Sequence, residues 1–373
     1  MSRKTIAVMF GGRSGEHEVS LVSGQSVMRA LHPGRYAVVP VGIGKDGRWW
    51  TGGDAMSFLR SGEGSPQRCI LPPEPGRNIL LVDDGGQWTE QPIDLVFPVI
   101  HGSNGEDGTL QGIFELAELP YVGAGVTASA VAMDKVLQKR LHREAGIPIV
   151  PFLHFTSHDV AARSGDIARE IVETLGLPVF VKPPNLGSSV GITKASDPEA
   201  LEAALLHAAR FDRKVLAEVA VPGAREIEVA VLGNEDPVAS VPGEVVPGNE
   251  FYDYDAKYVD GSSQLLIPAE LPEGMDERIR RMAVHAYRSL DCEGMARVDF
   301  LISRASGELY INEINTIPGF TSISMYPKLF DAVGIPYADL LDRLIEFALR
   351  RHAEKQALTR SYTPKEDWYR HDG

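Results

Sequence analysis

Short apolar runs alternate along this chain with stretches in which apolar residues return every three or four positions. An apolar run at residues 5–10 leads into Gly11-Gly12, then a helical pattern over about 18–31, then a second strand-like run at 36–43. This predicts a βαβ opening. The stretch 61–78, rich in Gly, Pro and Ser, reads as a surface excursion. Residues 94–100 predict another buried strand, which ends in the loop 101–108 and a helix over about 109–119. Apolar residues at 133, 136, 137, 141 and 145 have helical spacing and stop at Gly146, with Pro148 beyond. A strand at 178–182, a glycine-serine loop at 187–191, a helix at 198–210 and strands near 214–219 and 226–232 follow. An amphipathic helix at 276–290, strands at 295–302 and 308–315, and a helix over about 337–351 complete the pattern, before a polar tail. The alternation predicts an α/β chain divided at 1–124, 125–217 and 218–351, with the tail at 352–373.

At 373 residues the chain is too long for one ordinary core, which agrees with that division. No run of about 18 apolar residues occurs, so no membrane-spanning helix is expected. The apolar stretch near the start is short and runs into a glycine turn, as a first strand does and a signal peptide does not. A formal charge of −14 repels polyanions and argues against nucleic acid or a membrane surface as partner. Any anionic ligand must then be held by local lysines, arginines and backbone amides. The two cysteines, Cys69 and Cys292, lie far apart with no ligand-spaced histidine, so neither a disulfide framework nor a zinc site is expected. A reducing cytoplasm fits.

The segment 294–315 carries the most chemistry. In Arg297-Val298-Asp299-Phe300 the strand period puts Val298 and Phe300 on one face and Arg297 with Asp299 on the other. In Asn312-Glu313-Ile314-Asn315 it puts Glu313 and Asn315 together. A hairpin register pairing Asp299 with Glu313 also pairs Arg297 with Asn315. Two carboxylates and an amide carbonyl so gathered suit magnesium. They equally suit a solvated face on which Arg297 is an ion-pair partner. Lys182, at the end of an apolar strand and followed by Gly187-Ser188-Ser189-Val190-Gly191, offers an ammonium, hydroxyls and N–H groups of the kind that grip phosphate. The G-x-x-x-x-G-K-[ST] order is absent, and such a loop can also be a plain turn. Glu16, in the turn 11–20, suits an ammonium or caps a helix, and the loop 101–108 sits where α/β proteins place ligands. Residues 251–258, with three tyrosines among acids and a lysine, read as a lid or as an aromatic surface loop.

Taken in order, residues 11–20, 101–108, Met133-Asp134-Lys135, 182–191, Arg225-Glu226-Ile227-Glu228-Val229, 252–258, Arg297-Val298-Asp299 and 312–322 resemble the D-alanine–D-alanine ligase family of the ATP-grasp superfamily. The resemblance spans nearly the whole chain apart from the last ~20 residues. It implies an ATP-grasp fold behind an N-terminal Rossmann-like unit, with ATP clasped between the second and third units. By the same resemblance Lys135 and Lys182 meet the ATP phosphates, with Ser188, Ser189 and nearby amides above them. Glu218 and Val221 match the linker that reads adenine, and Glu226 the acid on the ribose. Asp299, Glu313 and Asn315 match the ligands of two magnesium ions, for which manganese can substitute. Ala220 stands where the linker often has a larger residue, and Pro184 where a small one is usual.

The implied reaction joins two D-alanines through an acyl phosphate. A carboxylate oxygen attacks the γ-phosphate while magnesium, Lys182 and Lys257 offset the negative charge. Glu16, supported by Ser188 and Tyr258, with Val19 and His101 nearby, is expected to hold the first substrate. Ser324 is expected to anchor the carboxylate of the second, and Arg297 with the Gly319 N–H to stabilise the oxyanion. The Tyr258 loop resembles those of dipeptide-forming ligases. D-lactate or D-serine as second substrate, or a regulator that only binds nucleotide, are the rival expectations. A homodimer is implied by the family alone.

Overall fold

The computed structural model describes residues 3–187, 190–246 and 264–363. Its first strand, β1 (Lys4–Gly11), is apolar on both faces, and Ile6 to Phe10 are all buried. A central parallel strand covered on both sides requires this. It pairs in parallel with β2 (Tyr36–Ile43) and with β7 (Leu95–Pro98), and α1 (His17–Ala30) makes the crossover between β1 and β2. Between β2 and β7 the chain adds β3 (Trp49–Thr51), α2 (Ala55–Ser61), β4 (Gln67–Ile70), β5 (Ile79–Asp84) and β6 (Gln87–Pro92). The sheet order is β6-β5-β4-β3-β2-β1-β7. The excursion expected at 61–78 thus contains β4, and β5 with β6 form a hairpin that the apolar pattern did not announce. β6 has no buried residue to give it a pattern. Next come α3 (Thr109–Leu116) and α4 (Val126–Met133).

The second unit begins with α5 (Lys135–Glu144), then β8 (Phe152–Thr156), α6 (Ser157–Leu175), β9 (Val179–Lys182), β10 (Thr193–Ala195), α7 (Pro198–Ala208) and β11 (Lys214–Val219). Its antiparallel sheet runs β10-β9-β11-β8. Apolar residues of α6 and α7, among them Ile167, Ile171, Leu201 and Leu205, close on Val181 and Val215 in a core of their own.

In the third unit β12 (Ala224–Leu232), β13 (Val238–Ala239), β14 (Gly243–Val246) and β15 (Gln264–Leu266) precede α8 (Met275–Ser289), β16 (Met295–Ser303), β17 (Leu309–Asn315), α9 (Met325–Asp331) and α10 (Tyr337–Gln356). The sheet order is β15-β14-β12-β16-β17, with β13 on β12. One face buries Val229, Val298, Phe300 and Ile314 under Ala283 and Tyr287 of α8. The other end of the unit is continuous with the first: Phe320, Tyr326, Leu341 and Leu344 share a core with Ile6, Val8 and Phe10. Arg351 on α10 donates to the Tyr121 carbonyl at 2.8 Å and fastens the two units further.

The helix expected from 133 breaks at Asp134, whose carboxylate accepts the Val136 and Leu137 amides and starts α5 as an N-cap. Its buried face also differs from the expected one. Leu137 and Leu141 are each 40% exposed, while Gln138, Lys139 and His142 are buried. Gln138 explains part of this: its side chain accepts from the Ile314 N–H at 2.9 Å and donates to the Ile314 carbonyl at 3.3 Å. It occupies the open edge of β17 as another strand would.

Truncating Phe300 to Ala should therefore cost roughly 3–5 kcal/mol, whereas Leu137→Ala should cost less than about 1 kcal/mol. Denaturant titration followed by circular dichroism checks both; a larger loss at Leu137 would contradict the orientation of α5.

Candidate active site

β16 and β17 pair in the register that sets Asp299 opposite Glu313 and Arg297 opposite Asn315, the pairing considered for the hairpin above. The alternation alone does not deliver them to the cleft. Leu309 and Ile311 face the core, and an unbroken period of two would send Glu313 and Asn315 there as well. A bulge lies between the pair Asp299–Glu313 and the pair Phe300–Ile311, with Asn312 as the extra residue. It reverses the facing, so that Ile314 is buried and Glu313 and Asn315 stand beside Asp299.

On this face Arg297 makes a two-point contact with Asp299, Nε to Oδ1 and Nη2 to Oδ2 at 2.7 Å each. Its Nε also lies 3.0 Å from Glu228 Oε2, brought by β12, where Glu228 is registered against Asp299. Asn315 donates to Asp299 at 2.9 Å. Burial alone would ease the proton off Arg297, but Asp299 and Glu228 hold it well above the ordinary guanidinium range. Glu313 Oε2 is 2.8 Å from the Lys135 ammonium, which also donates to the Leu186 carbonyl at 3.0 Å.

A second set of charges lines the neighbouring sheet. Glu218 on β11 is paired with Lys182 at the end of β9 and, at 3.0 Å, with Lys139 on α5. All three are buried. Burial would raise the Glu218 carboxyl, but Lys139 and Lys182 hold it down to about 2. Glu218 is the penultimate residue of β11, before Ala220 and the half-buried Val221, which link to β12, where Glu226 lies two residues before Glu228 on the same face.

The first unit closes the cleft with Glu16 and His101. Glu16, 9% exposed, lies so close to two glycines that a Cβ on Gly102 would sit 2.8 Å and one on Gly187 2.7 Å from its Oε2. The glycine of the Gly-Ser loop thus permits that loop to approach the acid. Val19 is half-buried in the first turn of α1. His101 is buried, with Nδ1 2.9 Å from the Ile317 carbonyl and Nε2 2.9 Å from Ser23 Oγ. Glu106, in the same loop, accepts from the Gly102 N–H at 2.9 Å; burial and the nearby Glu16 push it up to about 8. Gly319 follows β17, and a Cβ there would be 3.3 Å from Ser324 Oγ. Ser324 begins α9, and its hydroxyl is 2.8 Å from Thr321 Oγ1.

The structure thus gathers Glu16, His101, Lys135, Lys182, Glu218, Arg297, Asp299, Glu313 and Asn315 about the cleft, with Glu226, Gly319 and Ser324 on its rim elements. Ser188, Ser189, Lys257 and Tyr258 lie outside the described residues. The sequence reading missed Lys139, Glu228 and Glu106. A signal existed for two of them: Lys139 is one helical turn beyond Lys135, and Glu228 shares the strand period of Glu226.

The donors of the Asp299–Glu313–Asn315 group are all hard oxygens, which fits magnesium or a similar divalent cation and not zinc. Among the described residues no three side chains of His, Cys, Asp or Glu are placed together to hold a metal, and the group here is two carboxylates and an amide. Lys135 beside Glu313 and the buried Lys182 beside Glu218 fit a polyphosphate.

Two antiparallel sheets that meet over such a cleft, behind a parallel-sheet unit, define an ATP-grasp enzyme, the architecture of ATP-dependent ligases using a divalent metal. Models of the D-ala D-ala ligase N-terminus and C-terminus match residues 5–124 and 141–346. The chain belongs to the D-alanine–D-alanine ligase family. It is 50% identical over 358 residues to a D-alanine–D-alanine ligase of Heliobacterium modesticaldum, covering 95% of this chain and 97% of that one. Identity to the corresponding ligase of a Thermoanaerobacter species is 51% over 361 residues, 95% and 99% of the two chains. The solved D-alanine-D-alanine ligase from Coxiella burnetii superposes with a TM-score of 0.83 at 36% identity, over 95% of this chain and 97% of that one. The VanG D-Ala:D-Ser ligase from Enterococcus faecalis gives 0.82 at 36%, over 93% and 100%.

Because its folded-state carboxyl is depressed, Glu218 contributes stability that is present above the ordinary carboxylate range and lost as pH falls towards about 2. Wild type should lose on the order of 3 kcal/mol more than Glu218→Gln between pH 5 and 2. Urea melts across that range measure the difference; parallel curves would remove Glu218 from the charge network.

Proposed function

We propose that the cleft binds ATP and two magnesium ions between the second and third units, and that the residues around it join two D-alanines into D-alanyl-D-alanine. The activity is that of an ATP-dependent ligase which supplies a peptidoglycan precursor. The observation that carries the assignment of residues is the register that places Arg297, Asp299, Glu313 and Asn315 on one cleft-facing surface.

Asp299, Glu313 and Asn315 would hold the divalent cations, which when bound neutralise phosphate oxygens and favour attack on the γ-phosphate. Lys135 and Lys182 bind phosphate oxygens, with Ser188, Ser189 and Lys257 assigned to the same task. Glu218 and Val221 hold the adenine and Glu226 the ribose. Glu16 takes the ammonium of the first D-alanine, in a pocket with Val19, His101, Ser188 and Tyr258, and orients its carboxylate for phosphorylation. The resulting acyl phosphate is attacked by the amine of the second D-alanine, whose carboxylate Ser324 anchors. Arg297 and the Gly319 N–H then stabilise the tetrahedral oxyanion, whose collapse breaks the acyl C–O bond, expels phosphate and leaves the new amide. Glu106, pushed up to about 8 by burial and the nearby Glu16, holds its proton near neutrality, which limits the negative charge gathered around the ammonium pocket. We assign the chain to the cytoplasm, where ATP is available, and to a homodimer as in the family.

The likeness to a D-Ala:D-Ser ligase keeps D-serine as the second reading for the second substrate. Phosphate release from ATP with magnesium should depend on D-alanine; the absence of that dependence would instead indicate a nucleotide-binding regulator. With D-alanine, D-serine and D-lactate in competition, mass spectrometry should find the alanine dipeptide in excess over the other products. Arg297→Ala should lose about 3 kcal/mol or more of transition-state stabilisation, roughly a hundredfold in turnover, while still binding ATP. Near-normal turnover by that variant would exclude the oxyanion role.

A further inference from the structure

The loop after β17 carries Ile317-Pro318-Gly319-Phe320, and the groups on either side of Gly319 are held from the first unit. The Ile317 carbonyl can only accept, so the His101 nitrogen 2.9 Å from it, Nδ1, carries the proton. Burial lowers the affinity of this imidazole for a second proton, so the ring is neutral and Nε2 is an acceptor. Ser23 must then donate its hydroxyl hydrogen to Nε2, at 2.9 Å, and its oxygen is free to receive the Phe320 N–H at 3.4 Å. Pro318 has no N–H, and among the described residues no acceptor meets the N–H of Gly319. His101 is itself fixed by Ser14, which donates to its carbonyl at 2.7 Å. Ser23 and His101 are both buried.

We infer that Ser23 and His101 are positioning residues that fix the Ile317–Phe320 loop so that the Gly319 N–H points at the carbonyl undergoing attack. This rests on the ligase reading and on the oxyanion role of Gly319. His101 thereby has its two ring nitrogens committed to the protein and serves the second half of the reaction more than it serves recognition of the first substrate. Ser23, nearly two turns into α1, is a member of the site that no motif singled out. A hydrogen bond misaligned by a few tenths of an ångström loses most in the transition state, where the oxygen bears its full charge. The effect belongs in the tetrahedral step and not in phosphoryl transfer.

The test compares Ser23→Ala with wild type in three measurements made below the melting temperature of each, as established by circular dichroism. In dipeptide synthesis kcat should fall roughly tenfold with the KM for ATP unchanged. Positional isotope exchange in bridge-labelled ATP, which reports reversible phosphorylation of D-alanine, should remain within twofold of wild type. Binding of a tetrahedral phosphinate analogue of alanylalanine should weaken by about the same factor as kcat. As a second variant, His101→Asn, whose amide can still donate to Ile317, should retain more synthesis than His101→Ala. Unchanged synthesis by Ser23→Ala, or equal losses in isotope exchange and synthesis, would overturn the inference while leaving the ligase reading intact. A wild-type protein that makes no dipeptide would overturn both.

Discussion

One guanidinium sets the geometry of the cleft. Arg297 is mostly withdrawn from water, and it stays charged because Asp299 and Glu228 face it from its own strand and the next. Removing a partner from such a group leaves an uncompensated charge in a poorly solvated place, which costs about 3–5 kcal/mol. The fold must therefore keep β12, β16 and β17 in one register. That same register decides which oxygens reach the metal-binding face. Stability and chemistry are coupled here through a single arrangement of charges, and the apolar side of the sheet, packed under α8, gives it a rigid backing.

A second network extends this constraint across the cleft. Lys135 joins Glu313 of the third unit to the start of α5, and Lys139 one turn later joins the same helix to Glu218 of the second. The N-cap Asp134 is itself paired with Lys214 on β11. A short helix is thus pinned at successive charges to both sheets, and on its buried face Gln138 meets the Ile314 backbone and Lys139 meets Glu218, which offsets their loss of water. The first unit contributes through the apolar core it shares with α9 and α10, which places Glu16 and His101 against the loop after β17.

Much of this was legible in the chain. The βαβ opening, the two antiparallel strands at 295–303 and 309–315 and the terminal helix follow from alternation and helical spacing, because in those elements one face meets an apolar core, whereas the bulge at Asn312 that sets the strands' register leaves no mark in the pattern. The pattern fails where that condition fails. β6 is exposed throughout and leaves no periodic trace. In α5 the apolar residues Leu137 and Leu141 face outward while the buried face is polar, since that face belongs to the site. Glu16 and Lys182 were found as candidates from their neighbours along the chain, and Lys135 only through the family resemblance. Ser23 was not, since its meaning lies in a hydrogen bond to a residue 78 positions away.

The extra residue at Asn312 has a consequence for how the chain can change. It acts as a parity switch inside a strand: upstream of it odd-numbered side chains enter the core, and downstream they leave it. Drawing Asn312 back into the ladder, with every residue kept, would turn an acid towards oil and an isoleucine towards phosphate, whereas deleting it would leave a regular strand with each facing unchanged. The hairpin can therefore shed this one residue and keep its chemistry, but an odd change of length elsewhere in β17 needs a compensating bulge to return the same side chains to the same side.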